Sequence, residues 1–318
     1  MKKIIYLSFC IGLFACKPQP IYDYKEEMRN FVCNLSAWAK AQKSLFLIIP
    51  QNGIELVTVD GTATGLPAIT YLNAIDGHGQ EDLFYGYNTD NEATPKEVTN
   101  YLISFLTISQ RVGNIILTTD YCSAESKMAD SYAQNTHYQF LSFAAPEREL
   151  DAIPNHPIYH ENKDTISSLE DAKNFLYLIN PENFPSKQAF VEAVCSTNYD
   201  VLIMDLFFQN EIAFTANEIE QLRVKTNGGR RLVIAYMSIG EAEKYRYYWK
   251  SSWNVLKPQW LDAENPDWEG NYKVKYWDKA WQSLIFGNDD SYLQKILNAN
   301  FDGVYLDIID AFEYYENR

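Results

Sequence analysis

Short apolar runs recur along the chain, each rich in Val, Ile, Leu, Phe or Tyr and each followed by polar residues. They occupy eight segments: residues 45–50, 71–75, 114–120, 138–144, 174–179, 200–207, 231–239 and 302–309. Continuous apolar runs of this length, without polar alternation, predict strands that are buried on both faces.

Segments with the apolar spacing of helices separate most of these runs. They are residues 23–42, 95–111, 123–135, 186–197, 216–226, 241–250 and 289–299. Buried strands that alternate with helices predict a parallel sheet covered by helices. Eight such units match an α/β (β/α)8 TIM barrel, for which about 250 residues is typical. A doubly wound open sheet is the alternative.

The chain as a whole predicts a single barrel over residues 22–318. The proline-containing stretch 145–170 is the one candidate linker, with its central part at 151–170. It joins a first half at residues 22–150 to a second half at 171–318.

The N-terminal residues have the pattern of an export signal. Two lysines precede an apolar run at 4–15, which is too short for a permanent membrane span, so residues 1–15 are predicted to be a signal peptide. The run ends in Leu13-Phe14-Ala15-Cys16, which resembles a bacterial lipobox and predicts a lipid on Cys16 and a tether at 16–21. We therefore expect a lipoprotein of the bacterial cell envelope, held to the membrane through this lipid only. An ordinary cleaved signal with Cys16 incidental is the alternative.

Charge and composition narrow the possible partners and chemistry. Acidic residues outnumber basic ones 42 to 27, a formal charge of −15, which disfavours nucleic acid as a partner. The chain has four histidines and no HExxH or CxxC motif, so neither a metal site nor a cofactor is predicted. GxSxG, Walker and GxGxxG motifs are absent as well. A monomer is expected.

Acids and amides follow most of the predicted strands, at the barrel end where catalytic residues lie. They are Gln51, Asn52, Asp76, Glu81, Asp82, Asp120, Asn180, Asp205, Glu241, Asp307 and Asp310. A ring of carboxylates suits glycoside hydrolysis, in which one carboxylate attacks or activates water and another donates a proton. Any one of these acids, taken singly, more often caps a helix or serves a structural hydrogen bond.

Aromatic residues crowd into the segment after the 231–239 run. Six of the seven tryptophans lie there, together with several tyrosines. Most of these rings are expected to pack a long loop onto the barrel, and one or two to line a sugar-binding groove.

Three long segments resemble the endo-α-1,4-polygalactosaminidase-like glycoside hydrolases of family 114. They are RLVIAYMSIGEAEKYRYYW (231–249), ENPDWEGNYKVKYWDKAWQSLIFG (264–287) and FDGVYLDIIDAFEYYE (301–316). IIPQNG (48–53) and IDGHGQEDLFYG (75–86) are similar to further motifs of that family. The resemblance covers nearly all of the chain after the signal.

The order of these motifs differs from the family order. In the family, the motifs similar to 48–53 and 75–86 come after the three long segments, whereas in this chain they come before them. The resemblance therefore implies circular permutation, with residues 22–150 as the second family half and 171–318 as the first. One closed barrel would then pair strand 302–309 with 45–50, and strand 138–144 with 174–179, both in parallel.

The family resemblance also implies roles for individual residues. It makes Asp307 the nucleophile and Glu81 the general acid/base, although His78 and Gln80 replace small apolar residues beside Glu81. It places further side chains around the sugar: Asp205, Tyr236, Glu241, Asp310, Asp76, Gln51 and Asp120. The implied function is an exported glycosidase that cleaves α-glycosidic bonds in a polysaccharide, with retention expected and galactosamine as a candidate sugar. A non-catalytic glycan-binding barrel and a glycosidase of different linkage specificity are the alternatives.

Overall fold

The computed structural model describes residues 22–318. The predicted signal peptide (1–15), the lipidated Cys16 and the tether (16–21) lie outside the described residues. Within the part that is described, no helix is both long enough and apolar enough to cross a bilayer.

Thirteen strands form in the described residues, and most of the long ones coincide with the apolar runs. They are β1 (Leu47–Pro50), β2 (Gly77–Glu81), β3 (Ile115–Tyr121), β4 (Leu141–Ala145), β5 (Phe175–Tyr177), β6 (Val201–Asp205), β7 (Phe207–Phe208), β8 (Ile212–Ala213), β9 (Leu232–Ser238), β10 (Glu241–Glu243), β11 (Leu261–Glu264), β12 (Asn271–Val274) and β13 (Gly303–Asp307).

Eight of these strands are parallel and form two neighbouring sheets. One has the order β1-β13-β9-β6-β5 and the other the order β2-β3-β4. A single parallel bridge between Gln51 and Gly79 connects β1 to β2. The result is a mixed α/β fold with a parallel central sheet, compatible with a TIM-barrel-like arrangement.

The two predicted strand pairings have different outcomes. The predicted pairing of the chain's first and last strands is confirmed, because Leu47 pairs with Gly303 and Pro50 with Leu306 in parallel. The predicted pairing of 138–144 with 174–179 is wrong as a hydrogen-bonded ladder. β4 and β5 lie side by side, but they belong to different sheets, so the joint prediction of one closed barrel with both pairings is not met.

Helices cover the parallel strands. They are α1 (Tyr24–Gln42), α2 (Ile69–Ala74), α3 (Lys96–Arg111), α4 (Glu125–Tyr138), α5 (Lys187–Cys195), α6 (Ala216–Leu222), α7 (Lys279–Ile285), α8 (Tyr292–Asn298) and α9 (Phe312–Glu316). Short 3-10 turns lie at Ile54–Val57, Leu169–Asp171, Ser251–Asn254 and Ile309–Ala311. α1 illustrates how sequence sets a boundary, because the Asp23 side chain caps its first turn by accepting from the Glu26 N–H.

The predicted strand at 71–75 is wrong. These residues lie in α2 and the turn after it, where Tyr71 and Leu72 are buried and Asn73 is exposed. The strand forms instead at Gly77–Glu81, which has no aliphatic, Phe, Tyr or Trp side chain of its own. Gly79 is required there, since a Cβ would lie 2.0 Å from the Tyr305 hydroxyl oxygen. The Tyr305 side chain of β13 therefore packs against the backbone of β2, where only glycine leaves room for it.

The predicted helix at 241–250 is also wrong. Glu241–Glu243 form strand β10, which pairs antiparallel with β12, and β12 pairs with β11. This small sheet follows β9 and carries the aromatic-rich segment. β7 and β8 form a short antiparallel hairpin after β6.

Candidate active site

Glu81 and Asp307 are the last residues of strands β2 and β13, at the same edge of the parallel strands. The Gln51 side chain joins them: its Nε2 donates to Glu81 Oε2 at 2.7 Å and to Asp307 Oδ1 at 3.2 Å. Two acids that are far apart in the chain therefore share one hydrogen-bond donor.

Gln51 is held in place by both strands that flank it. Its backbone N–H donates to the Leu306 carbonyl at 2.8 Å, and it bridges to Gly79. The hydroxyl of Tyr177 on β5 donates to Gln51 Oε1 at 2.9 Å. Since the oxygen is taken by Tyr177, the amide nitrogen must face the two carboxylates.

Glu81 accepts three hydrogen bonds, all from neutral donors. Asn52 Nδ2 donates to Oε2 at 3.0 Å beside Gln51, and the Tyr121 hydroxyl donates to Oε1. Burial raises the pKa of Glu81, and the nearby charge of Asp307 raises it further. The hydrogen bonds oppose this rise without cancelling it.

Asp307 is held by a hydroxyl and a backbone amide. Tyr236 donates to Oδ2 at 2.6 Å, and the N–H of Ile308 donates to Oδ1 at 2.8 Å. Burial raises the pKa of Asp307 to about 6, although these two hydrogen bonds lower it in part. Asp307 is therefore mainly ionised at neutral pH.

One residue shortly after each of the strands β1, β2 and β13 has a left-handed backbone conformation. These residues are Asn52 (φ 60°), Asp82 (φ 56°) and Ile308 (φ 58°). For a β-branched residue such as Ile308 this conformation is costly, and such strain concentrates at functional sites. Gly240 accommodates the turn, because a Cβ there would lie 2.0 Å from the Ile308 carbonyl oxygen.

Asp310 lies one turn beyond Asp307. Burial together with the charges of Asp307 and Glu313 raises the pKa of Asp310 to about 8. Asp310 is thus largely protonated at neutral pH, which reduces repulsion beside the ionised Asp307.

A cavity of about 410 Å³ opens over Glu81 and Asp307. We call it the paired-carboxylate cavity. The residues predicted from the sequence that line it are Gln51, Asn52, Glu81, Asn180, Asp205, Tyr236, Asp307 and Asp310.

Asp205 lines this cavity but is already engaged. Arg246 donates to both of its oxygens, at 2.9 and 2.5 Å, and also to Glu243 at 2.6 Å. Tyr245 donates to the other oxygen of Glu243 at 2.6 Å. Asp205 is therefore part of a buried ion cluster, and its carboxylate is not free to bind a sugar ammonium.

Arg246 and Glu243 were not singled out by the sequence analysis. The wrong helix prediction for 241–250 concealed them, because only residues directly after predicted strands were taken as site candidates. Their charges beside a predicted site strand were the available signal.

Glu241 lies close to the site without lining the cavity. Lys273 contacts its Oε1 at 2.5 Å and Asn265 donates to the same oxygen at 2.8 Å. Its charge still contributes to the raised pKa of Asp307.

The structure does not bring Asp76 or Asp120 to the cavity. Asp76 precedes β2, at the opposite strand end, because the true strand begins at Gly77; there it accepts from the Ile48 N–H at 2.8 Å. Asp120 faces α4, where Ser131 donates to it at 2.6 Å, and it also accepts from the N–H of Phe84 at 2.8 Å.

His78 and Gln80, beside Glu81, are both buried. His78 Nε2 lies 3.0 Å from the Asn52 carbonyl oxygen, and burial lowers the pKa of His78 to about 4, so the ring is neutral. Gln80 Nε2 donates to Asn52 Oδ1 at 3.2 Å. Both side chains thus support Asn52, which donates to Glu81.

The aromatic segment divides as expected. Five of its tryptophans pack against other rings: Trp249, Trp253, Trp260, Trp277 and Trp281. Trp268, on the turn between β11 and β12, lines the paired-carboxylate cavity and is 64% exposed.

Two carboxyl groups of raised pKa, close together at the carboxyl ends of parallel strands, define the kind of site that glycoside hydrolases use. A comparison with known families agrees, because residues 173–318 match the model of glycoside-hydrolase family GH114. This match covers β5 to β13 and includes Asp307; it supports family 114 and a glycosidase.

Three uncharacterized proteins are similar to parts of the chain. One from Methanocaldococcus jannaschii is 39% identical over 155 residues, 49% of this chain and 42% of that protein. One from Deinococcus radiodurans is 39% identical over 131 residues, 41% of this chain and 40% of its own length. One from Thermotoga maritima is 45% identical over 96 residues, 30% and 28% respectively. The chain thus spans less than half the length of each of these relatives.

Proposed function

We propose that the whole described chain is one catalytic unit of family 114, an α-glycosidase that cleaves a polysaccharide with retention of configuration. Asp307 is the nucleophile and Glu81 the general acid/base. The observation that carries this proposal is the shared Gln51 donor between the two carboxylates.

The spacing of the carboxylates supports retention. Glu81 Oε2 and Asp307 Oδ1 both lie within hydrogen-bond distance of one nitrogen, at 2.7 and 3.2 Å. The sum of these distances is below the roughly 6.5 Å at which inverting enzymes begin, and retaining enzymes have about 5–5.5 Å.

The chemistry then proceeds in two steps. Asp307 attacks the anomeric carbon while Glu81 gives its proton to the departing glycosidic oxygen, so the C–O bond breaks as the glycosyl–Asp307 ester forms. Glu81, now ionised, takes a proton from water as that water attacks the same carbon and releases Asp307. The raised pKa of Glu81, maintained by burial and by the charge of Asp307, suits the first step.

Circular permutation accounts for the order of the motifs. The parallel pairing of β1 with β13 brings the two ends of the chain together, as a joined family order would require. Residues 145–170 would join the old ends. Export and a lipid on Cys16 remain part of the proposal and would place the enzyme in the cell envelope, where it meets polysaccharides.

Purified protein is assayed for new reducing ends on partially deacetylated galactosaminogalactan and a panel of bacterial polysaccharides. We expect hydrolysis, with the first product in the α-configuration by proton NMR. Glu81→Gln should lose far more activity on the polysaccharide than on a substrate with a good leaving group, because only a poor leaving group needs the proton. Binding without hydrolysis would instead support the non-catalytic glycan-binding alternative.

A further inference from the structure

A second cavity, of about 460 Å³, also borders Glu81. It lies between the segment after β1, the start of α3 and the turn into α9. The two cavities share Asn52, Glu81 and Asp310. Asp307 lines only the paired-carboxylate cavity.

We propose that this second cavity binds the sugar on the leaving-group side of the scissile bond, and that it takes a hydroxylated sugar without negative charge. The inference rests on the proposed function. In a retaining reaction the nucleophile must touch the sugar that keeps the anomeric carbon, whereas the acid must also reach the departing oxygen. A space lined by the acid and not by the nucleophile is therefore on the departing side.

The wall of the second cavity favours hydrogen-bond donors. Its carboxyl-bearing residues are Glu55, Glu81, Asp82, Glu97, Asp310 and Glu313, and no Lys, Arg or His lines it in the described chain. Carboxylates accept hydrogen bonds from hydroxyl or ammonium groups and repel a uronic acid.

Two further features of the wall suit a sugar. Tyr87 and Tyr101 line the cavity with rings that are 53% and 46% exposed, and such rings can pack against a sugar face. Gln80 lines it as well; its side chain is 5% exposed and its Oε1 has no hydrogen-bond partner in the described structure. A buried acceptor without a partner is costly and is satisfied when a ligand donates to it.

Filling the cavity tests its role. Val98 lines it from α3, while Val112, at the end of the same helix, does not. Val98→Trp should lower kcat/KM on partially deacetylated galactosaminogalactan by about tenfold or more, because binding on the leaving-group side is used in the transition state. Hydrolysis of α-galactosaminyl fluoride should stay within about twofold, since fluoride needs no such space. Val112→Trp is the matched control and should leave both rates unchanged.

The charge of the wall is tested separately. Wild-type protein should prefer the deacetylated polymer over the same polymer with its amines succinylated, which adds a carboxylate to each modified sugar, and Glu97→Gln/Glu313→Gln should lower this preference about threefold. Glu125→Gln, an exposed change on α4, is the control. An unchanged preference would overturn the claim about charge.

The outcomes separate this inference from the proposed function. If the wild type hydrolyses both substrates and Val98→Trp alters neither rate, or lowers both equally while circular dichroism shows a native fold, the leaving-group assignment is wrong. If the wild type hydrolyses neither substrate, the proposed function fails and the inference fails with it.

Discussion

Three parallel strands carry an acid at each end, and the two ends use the same residue types in opposite ways. Asp76 precedes β2 and Glu81 ends it; Asp200 precedes β6 and Asp205 ends it; Asp302 precedes β13 and Asp307 ends it. Position along the strand, and not the identity of the residue, separates their roles.

At the amino ends, each acid has both a cation and a neighbouring backbone amide. Asp76 lies 2.9 Å from Lys40 Nζ, Asp200 lies 2.7 Å from Lys225 Nζ, and Asp302 lies 2.9 Å from an Arg223 nitrogen. Each acid also accepts a hydrogen bond from a backbone N–H, which belongs to the adjoining strand or to the segment just before that strand. These acids join neighbouring strands.

At the carboxyl ends, Glu81 and Asp307 make no ion pair with any described residue, and their hydrogen bonds come from amides and hydroxyls. Burial raises the pKa of both acids, and no ion pair opposes that rise. Asp205 is the exception, since Arg246 neutralises it. The acids at the amino ends thus form ion pairs that join strands, whereas two of the three acids at the carboxyl ends have no ion pair and are the ones we propose to react.

The largest expected effect is on activity at a carboxyl end. Asp307→Asn should reduce polysaccharide turnover on the order of 10³-fold or more, because an amide cannot form the glycosyl ester. The melting temperature should not fall, since a buried charge is removed. Reducing-end assays and thermal unfolding measure the two effects. Asp302→Asn, at the other end of β13, should lower the melting temperature and leave turnover per folded molecule unchanged. Near-normal turnover in Asp307→Asn would contradict the assignment.

The largest expected effect on stability is at an amino end. Asp200 and Lys225 have fully buried side chains, so Asp200→Asn would leave the lysine charge without a partner. We expect a loss of about 3–5 kcal/mol in the free energy of unfolding, measured by urea denaturation. Activity per folded molecule should be unchanged. The double variant Asp200→Asn/Lys225→Met should recover part of the loss; a single-variant loss under about 1 kcal/mol would argue against this role.

The pH dependence of activity sharpens the comparison. Asp307 must be ionised to attack and its pKa is about 6, so kcat/KM should rise as the pH increases through about 6. It should fall again at higher pH as Glu81 loses its proton. Tyr236→Phe removes a hydrogen bond that lowers the pKa of Asp307 and should move the acidic limb upward. An acidic limb near pH 4 would show that Asp307 is not perturbed.

The smallest expected effect concerns Asp310 and stability. Its pKa is about 8 in the folded state and near 3.8 when unfolded, so the folded state binds the extra proton between these values. Stability contributed by this group is therefore present below about pH 4 and is lost as the pH rises to 8. Asp310→Asn should raise the melting temperature by a few degrees at pH 8 and hardly at all at pH 4. An equal change at both pH values would indicate a packing effect instead.

Apolar runs predicted most of the parallel strands because a strand buried on both faces must be apolar throughout. The runs at 200–207, 231–239 and 302–309 contain the observed strands, and the run at 114–120 covers all of β3 except its last residue. The run at 71–75 failed because an amphipathic turn of helix and a short strand have similar composition. Predicting β2 in its place would have required knowledge of Tyr305 on a strand more than 200 residues away.

The sequence by itself determined the alternation of strands and helices, the acids at strand ends and the family segments, since these depend on local periodicity and on residue type. The tertiary structure alone decided which acids share a site. Gln51 donates to both Glu81 and Asp307, and Arg246 forms an ion pair with Asp205. Asp76 lies at the opposite end of its strand from Glu81. When the strand is predicted at 71–75 in place of 77–81, Asp76 is assigned to the wrong end of the sheet. Both ends carry the same residue types, so only strand pairing and packing distinguish them.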